Sequence, residues 1–409
     1  MDGIVNFFNT VLSYAGIKIC NLEKRNSKPW RYYLVFNMGI AIATIGFVSN
    51  FFVIHFWDFD KSIQAGCFVL TFCITFSNLF NFFYNKIAYE TYLDEMVFND
   101  PGKEMPLIKE ALESNVTGDK NAAFKNFIFN SEKEWIKTSG LILRIYWLSA
   151  WFTATLYYLG PTYILITKRG TSRVLPVHME FPWSIQNFYV YLGVLIYQAH
   201  AGYLCCVAYP CFLSLLMLLF LQVTRQLNIL THIMMNMSDM MYEVIGERDR
   251  RWDQACYAIL SQCVKHYVKL KRFANRLNGT SEIFILVFIL TAMTLEAICF
   301  IEIALSHEIN VDTIKYLVLL SVVIIGAFLL CTMGQQVNNA VDELEYAVTE
   351  KWYIYDLRHR RSVLIFYMAV SQGMPINIYG SVALCSDTFS WFFKSGVSFY
   401  TVVKSVLED

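Results

Sequence analysis

Charged residues are scarce in this chain of 409 residues: Asp, Glu, Lys and Arg together make up only 16% of it. A typical soluble domain carries about 25%. Hydrophobic residues make up 56% of the chain and aromatic residues 16%. So little charge beside so much apolar surface excludes an ordinary soluble protein and indicates a membrane protein.

Catalytic and metal-binding motifs are missing as well. The sequence has no His-Glu-x-x-His, no Cys-x-x-Cys, no Gly-x-Ser-x-Gly and no glycine loop that would hold a phosphate, and its seven histidines are scattered. We therefore predict that the chain is not an enzyme, that it has no metal site and no cofactor, and that it binds no nucleic acid.

Long apolar runs dominate what is present, and each is close to the roughly twenty residues that cross a bilayer as a helix. Only helices remain as spanning elements, because a backbone exposed to lipid must satisfy its own hydrogen bonds and the alternation of a membrane β-barrel is absent. The sequence thus predicts an all-α, polytopic membrane protein with seven transmembrane helices. The predicted spans are Tyr32–Trp57, Ile63–Tyr84, Leu141–Ile166, Phe188–Val223, Phe284–Leu305, Tyr316–Val337 and Val382–Val403.

The basic residues predict the orientation. Twenty-five Lys and Arg lie before the first span or in the three segments 86–138, 224–283 and 338–378, whereas six lie on the other side. Basic residues are enriched in cytoplasmic segments. We therefore expect a cytoplasmic N-terminus and, with seven spans, an extracellular C-terminus.

The end of the chain carries the most specific motifs. Cys331-Thr332-Met333-Gly334-Gln335 closes the sixth span, Trp352-Tyr353 follows, and Ser371-Gln372-Gly373-Met374-Pro375 leads to a last helix that contains Ser398-Phe399-Tyr400-Thr401-Val402-Val403. This order of motifs over residues 331–409 resembles the insect odorant receptor family. Over the rest of the chain the resemblance is one of size and layout.

The resemblance implies a function. It implies an odorant-tuning subunit of a ligand-gated, non-selective cation channel, which forms a heterotetramer with the shared odorant-receptor co-receptor in the dendritic cell membrane of sensory neurons. The expected partners are a small volatile hydrophobic ligand, membrane lipids, permeating cations and the co-receptor.

The last helix is the candidate pore element, because one stripe of it is polar. Asp387, Lys394 and Ser398 recur there at intervals of three or four residues. A charge that faces lipid is costly, so such a stripe requires water or protein beside it, and ion pathways are lined in this way. The alternative is that the two charged residues pair with other helices of the same subunit. Matching the terminal motif to the family places the gate at Val402 and Val406.

A ligand pocket is expected in the outer halves of the second to sixth helices, where aromatic residues and a few hydroxyls share helix faces. A mostly apolar cavity with few polar groups suits a small volatile molecule, and the resemblance implies a pocket in the same region. Ordinary helix packing is the alternative for each residue. The candidates are Phe68, Thr71, Phe72, Thr153, Tyr157, Tyr197, His200, Thr291 and Thr294.

Glu296 is the intramembrane carboxylate that stands out in the fifth span, because ionisable groups inside the bilayer are functional candidates. Its two predicted roles are a polar wall of the pocket or a buried partner for a basic group.

The predicted organisation has four parts. Residues 1–31 form a cytoplasmic amphipathic segment, since Ile4, Phe8, Leu12 and Ala15 recur at helical spacing; that helix lies on the inner membrane face or packs on the protein. Residues 32–337 form six transmembrane helices with helical cytoplasmic extensions and the ligand pocket. Residues 338–378 form a cytoplasmic subunit-contact segment, and residues 379–409 form the pore-lining seventh helix.

Two other functions fit the composition. A gustatory receptor of the same superfamily usually ends in Thr-Tyr-x-x-x-x-x-Gln-Phe, which this sequence lacks. A seven-helix transporter would use Glu296, Asp387 and Lys394 to bind substrate or protons. Transporters of that kind carry internal repeats, and none is evident here.

Overall fold

The computed structural model describes residues 2–17, 28–113, 119–167, 174–305, 311–374, 376–378, 380 and 382–408. These residues form a helical bundle with one very small hairpin. The helices are α1 (Asp2–Ala15), α2 (Lys28–Ile54), α3 (Phe59–Leu93), α4 (Pro106–Glu113), α5 (Asp119–Thr167), α6 (Phe188–Ile245), α7 (Arg250–Leu305), α8 (Val311–Thr349), α9 (Leu357–Val370) and α10 (Ser386–Glu408). The strands are β1 (Asn377–Ile378) and β2 (Val382–Ala383).

Each of the seven predicted spans falls on one long helix: α2, α3, α5, α6, α7, α8 or α10. Among the described residues, five of these (α2, α3, α6, α7 and α8) are long and apolar enough to cross a membrane by composition alone. The other two have lower hydropathy for visible reasons. α5 is rich in tryptophan and tyrosine, and α10 carries its charged and hydroxylated stripe.

Most of these helices continue well beyond their apolar stretches. α6 has 58 residues, which at 1.5 Å per residue is about 87 Å, whereas the hydrocarbon core of a bilayer is about 30 Å thick. α5, α7 and α8 extend at the same end of the bundle, where α9 packs against α7 and α8. We call this end the α9 side.

The core is built around α6, which packs against α1, α2, α3, α5, α7 and α8. α1 lies on the protein, because Phe8, Leu12 and Ala15 are all buried and the helix contacts α2, α5 and α6. Of the two placements expected for this amphipathic helix, the structure therefore has the packed one.

The seventh span begins later than predicted. Residues 382–385 are not helical: Val382 and Ala383 form β2, which pairs antiparallel with β1. Gly380 lies between the strands with a φ of 68°, a left-handed conformation that glycine adopts without steric cost. The expected start at Val382 is therefore wrong, because a turn and a two-residue ladder precede α10.

A buried ion pair ties the segment after α3 to α6 on the α9 side. Nη1 of Arg225 lies 2.8 Å from Oδ2 of Asp100, and both side chains are buried. Gln226 donates from Nε2 to the other carboxylate oxygen at 2.7 Å, and its own Oε1 lies 3.1 Å from Nε2 of His266 on α7. Because these groups are shielded from water, the network fixes three parts of the chain to one another.

Stacked rings hold α9 to α7. Trp252 stacks on Tyr355 with ring centroids 5.5 Å apart, and Tyr355 stacks on His359 at 4.0 Å. His359 is buried, and this burial lowers the pKa of its imidazole to about 4. The ring is therefore neutral at ordinary pH and packs as an aromatic group.

Candidate functional site: an apolar cavity and an uncovered polar helix face

An apolar cavity lies among α3, α5, α6 and α8. Its volume is about 90 Å³, on a scale where one water needs roughly 10–15 Å³. The lining residues are Phe68, Thr71, Phe72, Thr153, Ala154, Tyr157, Tyr158, Val177, Gly202, Cys205, Cys206 and Leu319. A space of this kind suits a small, mostly apolar molecule.

Five of the nine candidate ligand residues line this cavity: Phe68, Thr71, Phe72, Thr153 and Tyr157. Phe68 and Tyr157 meet edge to face, with centroids 5.6 Å apart. The hydroxyls of Thr71 and Thr153 donate to the carbonyls of Cys67 and Ser149, one turn back on their own helices, at 2.7 and 2.9 Å. Since their hydrogens are used in this way, both oxygens offer the cavity lone pairs, and they suit a ligand that donates a hydrogen bond.

Tyr197 and His200 face a different part of the bundle. The hydroxyl of Tyr197 lies 2.7 Å from Oγ1 of Thr44 on α2. The ring of His200 lies between the hydroxyl of Tyr14 and the amide oxygen of Asn37, 3.1 Å from each. These two residues therefore join α6 to α1 and α2, and they do not line the cavity.

Thr291 and Thr294 on α7 also lie away from the cavity. Their hydroxyls donate to Val287 and Leu290 on the same helix, at 2.6 and 2.9 Å, and Thr294 is exposed. The structure thus brings together the candidates from α3 and α5 and leaves those from α6 and α7 outside.

Sequence reasoning missed the residues that close the cavity. The hydroxyl of Tyr158 donates to the carbonyl of Gln198 at 2.5 Å, and its ring lies where a side chain on Gly202 would have to go. The amide of Gln198 in turn donates to the carbonyl of Val177 at 2.8 Å, which holds the segment before α6 over the cavity. A glycine inside an apolar helix, Gly202, was the one sequence feature that pointed to a close contact here. The sequence around it does not show that Tyr158 is the residue in contact.

The predicted pore stripe is the uncovered face of α10. Asp387, Lys394, Ser398 and Val402 are all exposed, Val402 to 58%, while the helix packs through its other face on α7 and α8. No ion pair to Asp387 or Lys394 occurs among the described residues. In the part of the chain that the structure describes, neither charge is therefore paired with another helix. The side chain of Val406 lies outside the described residues.

The start of α10 is held by the motif that closes the sixth span. Gly334 on α8 leaves the space that the backbone of Leu384 occupies: a Cβ on this glycine would come within 2.7 Å of the Leu384 Cβ. The next residue, Gln335, accepts a hydrogen bond at Oε1 from the backbone N–H of Ser386, at 3.3 Å. The glycine permits a close approach, and the glutamine binds one of the free donors of the first turn of α10.

Within the described residues Glu296 is found in neither of its two expected positions. It does not line the cavity, and its side chain has no basic partner among the described residues. It is 0% exposed and faces Gly396 of α10.

The helical bundle, its apolar spans and its apolar cavity define a multi-pass membrane protein with room for a small apolar molecule. A family model described as 7tm Odorant receptor matches residues 122–394, and the chain belongs to this odorant receptor family. The family is one of receptors and not of enzymes, which confirms that part of the sequence prediction.

Known relatives agree with this assignment. Over 158 residues the chain is 23% identical to Odorant receptor 85f of Drosophila melanogaster, a match that covers 38% of this chain and 40% of that relative. The olfactory receptor OR5 of the insect Machilis hrabei, solved alone and in complex with eugenol, has the same fold with a TM-score of 0.78. The two structures are 13% and 14% identical to this chain, and each comparison covers 98% of this chain and 97% of the other. The prediction of an all-α protein with seven transmembrane helices is thereby confirmed.

Proposed function

We propose that this chain is the odorant-tuning subunit of a ligand-gated, non-selective cation channel, which assembles as a heterotetramer with the odorant-receptor co-receptor in the dendritic cell membrane of sensory neurons. A volatile hydrophobic ligand binds in the cavity. It binds the open state more tightly than the closed state and so shifts the population of channels toward opening.

The observation that carries this proposal is the uncovered polar face of α10. Asp387 and Lys394 are exposed on a helix that crosses the apolar part of the bundle, and a charge that faces lipid there would cost about 3 kcal/mol or more. A water-filled path removes that cost, and copies of α10 around an axis would enclose such a path. Val402, on the same exposed face, then meets its counterparts and forms part of an apolar gate with Val406.

The proposed orientation places the N-terminus and the α9 side in the cytoplasm and the end of α10 outside. It is supported by the twenty-five basic residues on one side against six on the other. Epitope tags at the two termini, stained on intact and on permeabilised cells, test it. An N-terminal tag that is stained on intact cells would contradict it.

The ligand we expect is small and largely apolar, with a hydroxyl or a similar donor. The cavity wall is aromatic and aliphatic except for the two threonine oxygens, the tyrosine hydroxyls and the thiols of Cys205 and Cys206. The threonine oxygens accept hydrogen bonds. Eugenol, a phenol bound by the Machilis hrabei receptor, has these properties and is a reasonable first compound in a panel.

The proposed contact surface for the co-receptor is the outer face of α9. Leu357, Leu364, Ile365 and Met368 are all exposed there. Arg361 is also exposed on this side of the helix, and large apolar residues combined with arginine at a protein surface are typical of a protein interface. Because α9 lies at the end of the extended helices, copies of it can meet without covering the membrane spans.

The experiment that tests the function is whole-cell current during application of a volatile panel that includes eugenol. We expect current from cells that express this chain with the co-receptor and little or none from this chain alone. Saturable uptake of a compound without ligand-gated current would favour a transporter instead.

The pore assignment has its own test. Val402→Cys, expressed with the co-receptor, should react with an extracellular thiol reagent during ligand application, and the reaction should change the current. Val397→Cys is the control, since Val397 is half-buried on a different face of the same helix. An effect at position 397 and none at position 402 would mean that another face of α10 lines the path.

A further inference from the structure

The carboxyl group of Glu296 is buried without a polar partner. The residue lies within the apolar part of α7 and is 0% exposed. Neither of its carboxylate oxygens has a hydrogen-bond partner among the described residues. Buried polar side chains are hydrogen-bonded in the large majority of cases, so an exception of this kind requires an explanation.

The group is accommodated by the absence of a side chain on α10. A Cβ on Gly396 would lie 2.6 Å from Cδ of Glu296 and 2.8 Å from its Oε2, closer than real Cβ atoms approach their neighbours. The carboxyl therefore lies directly on the backbone of the helix that carries the polar stripe. We call this the Glu296–Gly396 contact.

The surroundings of the contact are aromatic. One turn further along α7, the ring of Phe300 lies 6.3 Å from that of Phe393 and 6.2 Å from that of Tyr400, both on α10. Phe392 is also buried, at 2% exposure. Lys394 is exposed on another face of α10 and so does not neutralise the carboxyl. The site between the two helices is thus apolar and closed to water.

An unpaired carboxyl in such a site destabilises the arrangement that buries it. If the group is ionised, it has lost its hydration without gaining a partner; if it is protonated, its O–H and its carbonyl oxygen both remain unsatisfied. The penalty exists only while α10 lies against α7 at this point. Any movement that separates the two helices admits water to the carboxyl group and removes this penalty.

We propose that the Glu296–Gly396 contact biases α10 toward leaving α7, and that Glu296 is a positioning residue which sets how readily the channel opens. This inference rests on the proposed function, in which α10 lines the ion path. The structure described here is then the closed arrangement, and the ligand has less free energy to supply for opening than it would have with an apolar residue at position 296.

Substitutions at position 296 separate polarity from shape. Glu296→Met removes the unsatisfied group and keeps a similar length, so it should stabilise the packed arrangement. We expect a lower ligand-independent current and a concentration of eugenol for half-maximal current that rises by roughly 5-fold or more, the low end of what one unsatisfied buried group produces. Glu296→Gln keeps an unsatisfied polar group of nearly the same shape, and it should stay close to the unmodified channel.

A double-mutant cycle tests the contact itself. Gly396→Ala places a methyl group where the carboxyl lies, so it should lower the temperature at which the purified complex unfolds and raise the ligand-independent current. Glu296→Ala vacates that space, and combining the two changes should reverse most of both effects. Gly279→Ala on α7 is the matched control, because no atom lies within 4 Å of where its Cβ would be.

The outcomes are distinct. Additive effects on the unfolding temperature would overturn the contact. A non-additive unfolding cycle with ligand-independent current unchanged in Glu296→Met and Gly396→Ala, at equal surface expression, would overturn the bias toward opening. A complex that carries no current under any condition would overturn the proposed function as well, while the unfolding cycle would still report on the contact.

Discussion

A single methyl group added at Gly202 should change which ligands the cavity accepts. A Cβ at this position would lie 3.0 Å from ring carbons of Tyr158 and closer still to its hydroxyl, which now donates to the carbonyl of Gln198 at 2.5 Å. Because Gly202 is in the middle of a long helix, the backbone cannot easily retreat. The tyrosine ring must therefore move, and the space it moves into is the cavity that it lines.

The magnitude follows from three contributions. Loss of the buried hydrogen bond costs about 1–3 kcal/mol, and overpacking costs about 1–3 kcal/mol. The better helix propensity of alanine returns about 1 kcal/mol. The free energy of the present arrangement of Tyr158 therefore rises by about 1–5 kcal/mol in total. Since 1.4 kcal/mol is a factor of ten, a volatile that needs the present arrangement should lose about fivefold or more in potency.

The assay is the dose–response curve for each active volatile, recorded with the co-receptor and normalised to surface expression. Gly193→Ala is the matched control: it lies on the same helix, gains the same helix propensity, and has no atom within 4 Å of the added methyl. Curves for Gly202→Ala that coincide with those for Gly193→Ala across the panel would refute the reasoning, and the ligand would then bind away from Tyr158.

Three further predictions concern the parts that support the site. Arg225→Met should abolish most surface expression, because it leaves the buried carboxylate of Asp100 without its opposite charge at a cost of about 3–5 kcal/mol. Combining it with Asp100→Leu should recover part of the loss, and equal expression of the single and the double variant would contradict this. His359→Phe should make the purified complex less sensitive to acid. The pKa of His359 is about 4, below the ordinary value of about 6.5. The fold therefore has its full stability while the ring is neutral, above about pH 6.5, and loses part of it as the pH falls toward 4. Gln335→Ala should shift ligand potency without touching the cavity, because it removes the acceptor of the Ser386 N–H; an unchanged dose–response curve at normal expression would exclude such a role.

The sequence was most informative where structure depends on local pattern. Apolar length indicated seven spans, each of which overlaps one helix, and helical periodicity placed the polar residues of α10 on one exposed stripe. Periodicity also selected Thr71 and Thr153, which both line the cavity, since hydroxyl groups on the shared faces of adjacent helices come close to one another.

The sequence was least informative about which distant residue meets which. His200 carries the same local signal as Tyr157, yet it contacts Tyr14 and Asn37, which lie more than 160 positions away in the chain. The start of α10 was misplaced for the same reason. Two contacts set the start of α10: the pairing of β2 with β1, and the side-chain oxygen of Gln335, which accepts from the N–H of Ser386. Hydropathy carries no information about either contact.

One helix reaches both the cavity and the start of α10. Leu319 of α8 lines the cavity, and Gly334 and Gln335 of the same helix contact Leu384 and Ser386. The separation is fifteen to sixteen residues, or about 23 Å along the axis. A continuous helix of this length behaves as a rigid rod, so a displacement of α8 at the cavity wall is also a displacement at the first turn of α10. α7 holds the middle of α10 through the unsatisfied Glu296–Gly396 contact. In the proposed function, a ligand that moves α8 would therefore act on a helix whose first turn is bound to α8 and whose middle lies on the unsatisfied carboxyl of Glu296. A small movement at the cavity would then help to separate α10 from α7.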